Sequence, residues 1–170
     1  MKHLLLSISL ALFAVTQLFA EDMQINVIVG GASFSATIED TETGRAFFSL
    51  LPLTLNMNEL NGNEKYYNLA SSLPTASYRP GTINAGDLML YGSSCVVLFY
   101  ETFSSGYSYT RIGALDNPDR LAQVLGNGNV TVRFEEAPKS LPRGDMDGDG
   151  IVNIGDVSSL IDYLLSRNGD

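Results

Sequence analysis

Alternation of apolar and polar positions dominates the chain from residue 22 to residue 136. Ile25, Val27 and Val29 recur at every second position, and Phe34, Ala36 and Ile38 alternate with Ser33, Ser35 and Thr37. That period places one set of side chains on the buried face of a strand. Gly30 and Gly31 between the two runs predict a tight antiparallel hairpin. Residues 43–51 change period: Ala46, Phe47, Leu50 and Leu51 share one face of a helix that Pro52 stops. Alternation returns over residues 54–60, with Leu55 and Met57 pointing one way.

Residues 61–80 read as the longest irregular stretch, punctuated by Asn61-Gly62, Pro74 and Pro80, and loops of that length inside compact domains are often functional. Strands are predicted over residues 82–91 and 95–101, joined by a Gly-Ser-Ser turn, and over residues 108–112. Residues 116–126 predict a short helix, with Pro118 and Asp119 in its first turn and Gly126 at its end. Val130, Val132 and Phe134 make a last strand. Many short strands with two short helices predict a mainly β fold: a closed or nearly closed β-barrel with helices covering its ends.

The pattern divides the rest of the chain. Residues 1–20 are a basic start followed by an apolar run, the layout of a cleaved signal peptide. Nothing later is long and apolar enough to span a membrane, so the expected location is secreted, periplasmic or cell-surface associated. Residues 137–143 hold Pro138, Lys139, Pro142 and Arg143 and read as a stiff linker. Residues 144–170 then form a separate unit.

That unit carries the sharpest chemistry. Asp145, Asp147, Asp149, Asn153 and Asp156 occupy positions one, three, five, nine and twelve of a loop, with Gly150 at six. Hard cations prefer oxygen, and this spacing wraps a short loop around Ca2+, with Ile151 supplying its backbone carbonyl. Val157, Leu160, Ile161, Leu164 and Leu165 follow at helical spacing and form an apolar stripe that needs a partner.

Charge and composition narrow the partners. The net charge of −9 argues against nucleic acid. Cys95 is the sole cysteine and sits in an apolar run, where it reads as a small buried hydrophobe. Beyond residue 20 there is neither Trp nor His, and no triad, nucleophile elbow or phosphate loop. The carboxylates Glu39, Asp40, Glu64 and Asp87 are scattered, and Asp87 after Gly86 reads as a turn residue. Tyrosines and phenylalanines crowd around two arginines: Tyr78, Arg79, Phe103, Tyr107, Tyr109 and Arg111 form the candidate ligand groove, suited to stack a peptide or carbohydrate and to hold an anion.

Two stretches carry resemblances. LNGNEKY (60–66), YRPGTINAGDLMLYG (78–92) and VLFYETFSSGYSYTRIG (97–113) resemble the bacterial cyclophilin-like family over residues 23–135. The resemblance implies an eight-stranded barrel related to peptidyl-prolyl isomerases. Those isomerases use an arginine backed by aromatic groups with a tryptophan and a histidine, and the latter two are missing here. The chain therefore points to a non-catalytic binding protein, with a prolyl isomerase using Arg79 or Arg111 as the alternative.

GDMDGDGIVNIGDVSSLIDYLL (144–165) resembles one repeat of a type I dockerin. That resemblance implies calcium-dependent docking onto a cohesin-like module, with Ile154 and Gly155 at partner-reading positions, often in polysaccharide-degrading assemblies. Dockerins usually carry two repeats, and this chain carries one.

Overall fold

A computed structural model describes residues 23–138 and 143–167. The expected signal peptide, and the part of the expected linker from 139 to 142, lie outside the described residues. Ten strands and three helices follow in the order β1 (Gln24–Val29), β2 (Ala32–Ile38), α1 (Glu42–Phe48), β3 (Leu53–Leu60), β4 (Glu64–Asn68), β5 (Gly81–Ile83), β6 (Asp87–Tyr91), β7 (Cys95–Phe99), β8 (Phe103–Ser105), β9 (Thr110–Leu115), α2 (Leu121–Leu125), β10 (Val130–Glu136) and α3 (Ile154–Arg167). Eight strands close a barrel in the order β1-β10-β3-β4-β7-β6-β9-β2, all paired antiparallel, while β5 and β8 pair separately.

The β1–β2 hairpin forms as the alternation predicts, with Val27 opposite Phe34 and Val29 opposite Ala32. Its inward residues join Leu55, Met57, Val132 and Phe134 inside the barrel. Phe47 of α1 meets Phe134 edge-on at 5.5 Å, and Leu121 and Leu125 of α2 join the same interior. The barrel closes tightly between β2 and β9: a Cβ on Gly113 would stand 2.3 Å from the Thr37 carbonyl, so only glycine fits there.

Several predicted boundaries shift, each for a local reason. The stretch 61–80 is not irregular throughout, because β4 occupies residues 64–68. Its charged Glu64 and Lys65 hide the alternation that burial of both residues reveals. The single strand predicted over 82–91 breaks at Asn84–Gly86: Gly86 takes φ +92°, and the Asn84 N–H donates to Asp87 Oδ2 at 2.8 Å. Asp87, read from sequence as a turn residue, instead opens β6, and its buried carboxylate ties down the turn before it. Residues 103–105 form β8, and the strand expected over 108–112 is β9 at Thr110–Leu115. α2 begins only at Leu121, because Arg120 has the left-handed φ of +68° and cannot continue a helix from Pro118.

One arrangement matters most for function. Strands β6 and β7 are buried on both faces. Leu88, Leu90, Val96 and Leu98 face the interior, while Met89, Val97 and Phe99 face outward into a second apolar cluster with Ile83 and Tyr109. The β5–β8 pair and the segment after it cover part of the barrel's outer wall, which explains the unbroken apolar run of residues 95–100.

Candidate functional site

The outer wall beside that second cluster holds a cavity of about 430 Å³. Strand alternation builds its floor. Glu64, Tyr66 and Asn68 share the outer face of β4 and pair with Phe99, Val97 and Cys95 of β7. Tyr91, at the end of β6, and Phe103, Tyr107 and Tyr109, from the covering segment, form the aromatic side. Leu60, Asn61 and Asn63 close the third side from the β3–β4 turn, where Asn61 and Gly62 both take positive φ.

The rings interlock. Phe99 packs on Phe103 at 5.7 Å and edge-on to Tyr109 at 5.5 Å; Tyr91 lies 5.6 Å from Tyr109 and 6.2 Å from Tyr107. Such pairs fix ring orientation beyond simple burial. Tyr107 remains 65% exposed and Tyr91 48%, so both rings present surface to an incoming molecule.

Glu64 supplies the charge of this cavity. It is 9% exposed and belongs to none of the ion pairs among the described residues. Burial, and then the charge of Glu59, push its carboxyl above the usual range. Its field reaches across the cavity: burial first and Glu64 second raise the Cys95 thiol, and burial with Glu64 raises Tyr109 against a hydrogen bond from Ser105. Cys95 is half-buried rather than fully enclosed, and it lines the cavity.

Of the six residues expected in a ligand groove, Phe103, Tyr107 and Tyr109 line this cavity, and Tyr78, Arg79 and Arg111 do not. Tyr78 bridges to Tyr109 by backbone hydrogen bonds of 2.9 Å, and Arg79 is exposed. Arg111 is engaged elsewhere: its Nε donates to Glu39 at 2.7 Å and its Nη1 to the buried Asp87 at 3.1 Å. Burial opposes its charge, but Asp87, Tyr78 and Glu39 outweigh burial and raise its pKa. Sequence reasoning did not pick out Glu64, Asn63 or Cys95 as cavity residues, while Tyr91, one of the crowded tyrosines, does line it. The available signal was the period-two set Glu64, Tyr66 and Asn68, obscured by the inward Lys65.

Lys65 is fully buried on the other side of the wall. Its Nζ donates to Glu59, to Gly126 O at 2.7 Å and to Gly128 O at 2.7 Å. Tyr100 donates its hydroxyl to Glu59 at 2.9 Å and lies 5.2 Å from Lys65 Nζ across its ring. Burial works against the Glu59 charge, yet Lys65, Tyr100 and the Gly62 N–H prevail and hold its carboxyl below the usual range. This closed network ties β3, β4 and the end of α2 together.

The Asp loop folds on its own backbone. Asp145 accepts from Gly148 N at 2.7 Å and Gly150 N at 2.8 Å; both glycines have positive φ. Carboxylate oxygens of Asp145, Asp147 and Asp149 lie within 4.8 Å of one another. Oxygens that share a cation at ~2.3–2.6 Å stand no farther apart than about 5 Å, so these three fit a common Ca2+. Asp156 instead accepts from Asn153 N and Met146 N, each at 2.6 Å, and those N–H groups hold its carboxyl below the usual range. Asn153 accepts from Gly155 N at 2.6 Å and donates to Ile151 O at 3.2 Å. α3 follows, and its apolar residues are exposed, from Leu160 at 40% to Ile154 at 79%. No helix among the described residues is long and apolar enough to cross a membrane.

Comparison with known proteins bears on the barrel. The sequence profile of the Cyclophilin-like family matches residues 27–135. The fold is similar to that of a hypothetical protein from Archaeoglobus fulgidus, determined in solution, with a TM-score of 0.52 and 18% identity over 68% of this chain and 95% of that one. At that identity the likeness speaks of fold alone. No curated protein matches the sequence. The profile match ends before the Asp loop.

Proposed function

Because the chain belongs to the Cyclophilin-like family, and because a fold does not carry its relatives' chemistry with it, we propose a function argued from the sites alone. The protein is an exported binding protein without catalytic activity. Its barrel holds a small ligand of peptide or carbohydrate type in the cavity between β4, β7 and the covering segment. Its tail, residues 144–170, is a dockerin-like repeat that Ca2+ orders for docking onto a cohesin-like or other protein, in an assembly concerned with polysaccharide breakdown.

The observation that carries this reading is the cavity itself: exposed tyrosine faces beside a carboxylate that joins no ion pair, with no histidine among the described lining residues. Such an arrangement recognises; it offers no activated nucleophile and no acid–base pair. For the tail, three carboxylates brought within one cation's reach support calcium. Asp145, Asp147 and Asp149 would hold the ion, completed by the Ile151 carbonyl, Asn153 and Asp156. Bound calcium would offset the repulsion of the clustered acids and fix the start of α3. The exposed stripe of Val157, Leu160, Ile161, Leu164 and Leu165 then supplies a docking face.

Isothermal titration of Ca2+ into residues 21–170, followed by circular dichroism, tests the tail: heat release with gain of helix is expected, and neither would overturn it. A proline-peptide isomerisation assay tests the barrel. Turnover abolished by Arg79→Ala or Arg111→Ala would replace the binding reading by the isomerase one. Neither arginine lines the cavity, and Arg111 is held by two carboxylates.

A further inference from the structure

The cavity on the outer wall is electrically one-sided. Among the described residues Glu64 is its sole charged lining residue, and no lysine or arginine lines it. The adjacent Lys65 is turned through the wall to its own three acceptors. A second acceptor also waits: Asn63, another lining residue, has a buried Oδ1 without a hydrogen-bond partner among the described residues. Native proteins rarely leave a buried oxygen unpaired, and Asn63 Oδ1 is such an oxygen; the Glu64 carboxylate beside it opens on the cavity.

We propose that this cavity takes an organic cation, a protonated or quaternary amine, whose charge rests against the Glu64 carboxylate and whose body lies against Tyr91 and Tyr107. The inference deepens the reading of this cavity as a ligand site and depends on it. Three physical reasons select a cation. Aromatic faces carry negative potential and attract a positive charge laid on them, most strongly where water is excluded. An anion would be brought against a buried carboxylate with no compensating base. A neutral body would leave Glu64 buried and unpaired in the complex. A bare metal ion fits less well, because Ca2+ seeks ~6–8 oxygen ligands and one carboxylate with one amide oxygen supplies few of them. The volume of about 430 Å³ also suits a small organic molecule. Burial, and then the charge of Glu59, already hold the Glu64 proton more tightly than in water.

Three probes of one shape and different charge decide the matter: benzyltrimethylammonium, benzyl alcohol and benzoate. Each is titrated into residues 21–170, with NMR resonances of the tyrosine rings as readout. The expected result is benzyltrimethylammonium binding at least about tenfold tighter than benzyl alcohol, with benzoate weakest. Glu64→Gln should bring the cation to the level of the alcohol. Tyr107→Ala, at an exposed position, should weaken both. Equal binding of cation and alcohol, or an unchanged cation affinity in Glu64→Gln, overturns the cation proposal while leaving the cavity as a ligand site. If no probe moves the Tyr91 and Tyr107 resonances, the ligand-site reading falls with it. Circular dichroism guards the comparison, since losing a buried unpaired charge should not unfold the barrel.

Discussion

Glu64 and Lys65 are neighbours in sequence and stand on opposite faces of the barrel wall. Glu64 pairs across with Phe99 and faces the outer cavity; Lys65 pairs with Leu98 and donates to Glu59 and to the carbonyls of Gly126 and Gly128. Both are buried. Their side chains follow the period-two alternation of a strand: one charge is satisfied by the fold, and the other opens on the cavity.

Lys65 should be indispensable to stability. Lys65→Met would leave the Glu59 carboxylate and two carbonyls without their donor, at a cost of about 3–5 kcal/mol. Urea denaturation measures the loss. Adding Glu59→Gln should recover part of it, because the orphaned charge disappears; full additivity of the two changes would contradict the network.

Tyr100 should titrate well above the usual tyrosine range. Burial first, then its hydrogen bond to Glu59, push its pKa up from 10.0 to about 12. The folded state therefore holds the proton more tightly than the unfolded one. The stability this confers is complete below the unfolded value of about 10 and is lost as pH rises through about 12. Alkaline titration followed at the tyrosinate absorbance band should show one late component, absent in Tyr100→Phe.

The Glu64 carboxyl is linked to pH in the same sense as Tyr100, since burial disfavours its charged form. Its folded pKa is raised, so wild-type stability should increase as pH falls through that pKa, and Glu64→Gln should remove this increment and be the more stable form at pH 7. The charges that couple to it are Glu59, from behind the wall, and the Cys95 thiol and Tyr109 hydroxyl across the cavity. Denaturation midpoints of the two proteins at neutral and mildly acid pH give the comparison. Convergence of the two curves toward low pH is the expected pattern.

Arg111 is a structural residue on this geometry. Arg111→Leu leaves Asp87, 3% exposed, without its ion partner, and should cost about 2–4 kcal/mol. Ligand binding in the outer cavity should be little changed, because Arg111 does not line it. Parallel thermal unfolding and probe titration separate the two effects.

The Asp loop should be independent of the barrel in its response to metal. Asp147→Ala removes one of the three convergent carboxylates and should weaken calcium binding by at least about tenfold. Calcium titration by calorimetry measures it, and the near-ultraviolet tyrosine signal of the barrel should stay constant.

The sequence pattern made most of the barrel legible. Where strands have one apolar and one polar face, as in β1, β2, β3 and β10, period two located them closely. It failed where burial and polarity disagree. β4 reads Glu-Lys-Tyr-Tyr-Asn and looked like loop, yet its first two residues are buried. β6 and β7 read as continuous apolar runs because a second layer covers them, and nothing local to their sequence says what that layer is. The tyrosine cluster was visible in the sequence; its sorting was not. Tyr107, Tyr109 and Phe103 reached the cavity, while Arg111 was drawn off by Asp87 and Glu39, groups distant from it in the chain.

By itself, then, the sequence determined the mainly β class, the hairpin pairing of β1 and β2 and the spacing of the acidic groups in the Asp loop, because all of these depend on short-range periodicity and backbone conformation. Tertiary structure alone decided the sign of the candidate site. An arginine expected to greet an anion is neutralised by two carboxylates, and a glutamate that looked incidental lines the cavity and joins no ion pair among the described residues. Charge in a folded protein is set by which distant groups are brought within a few ångströms, and closing the barrel is the step that brings them together.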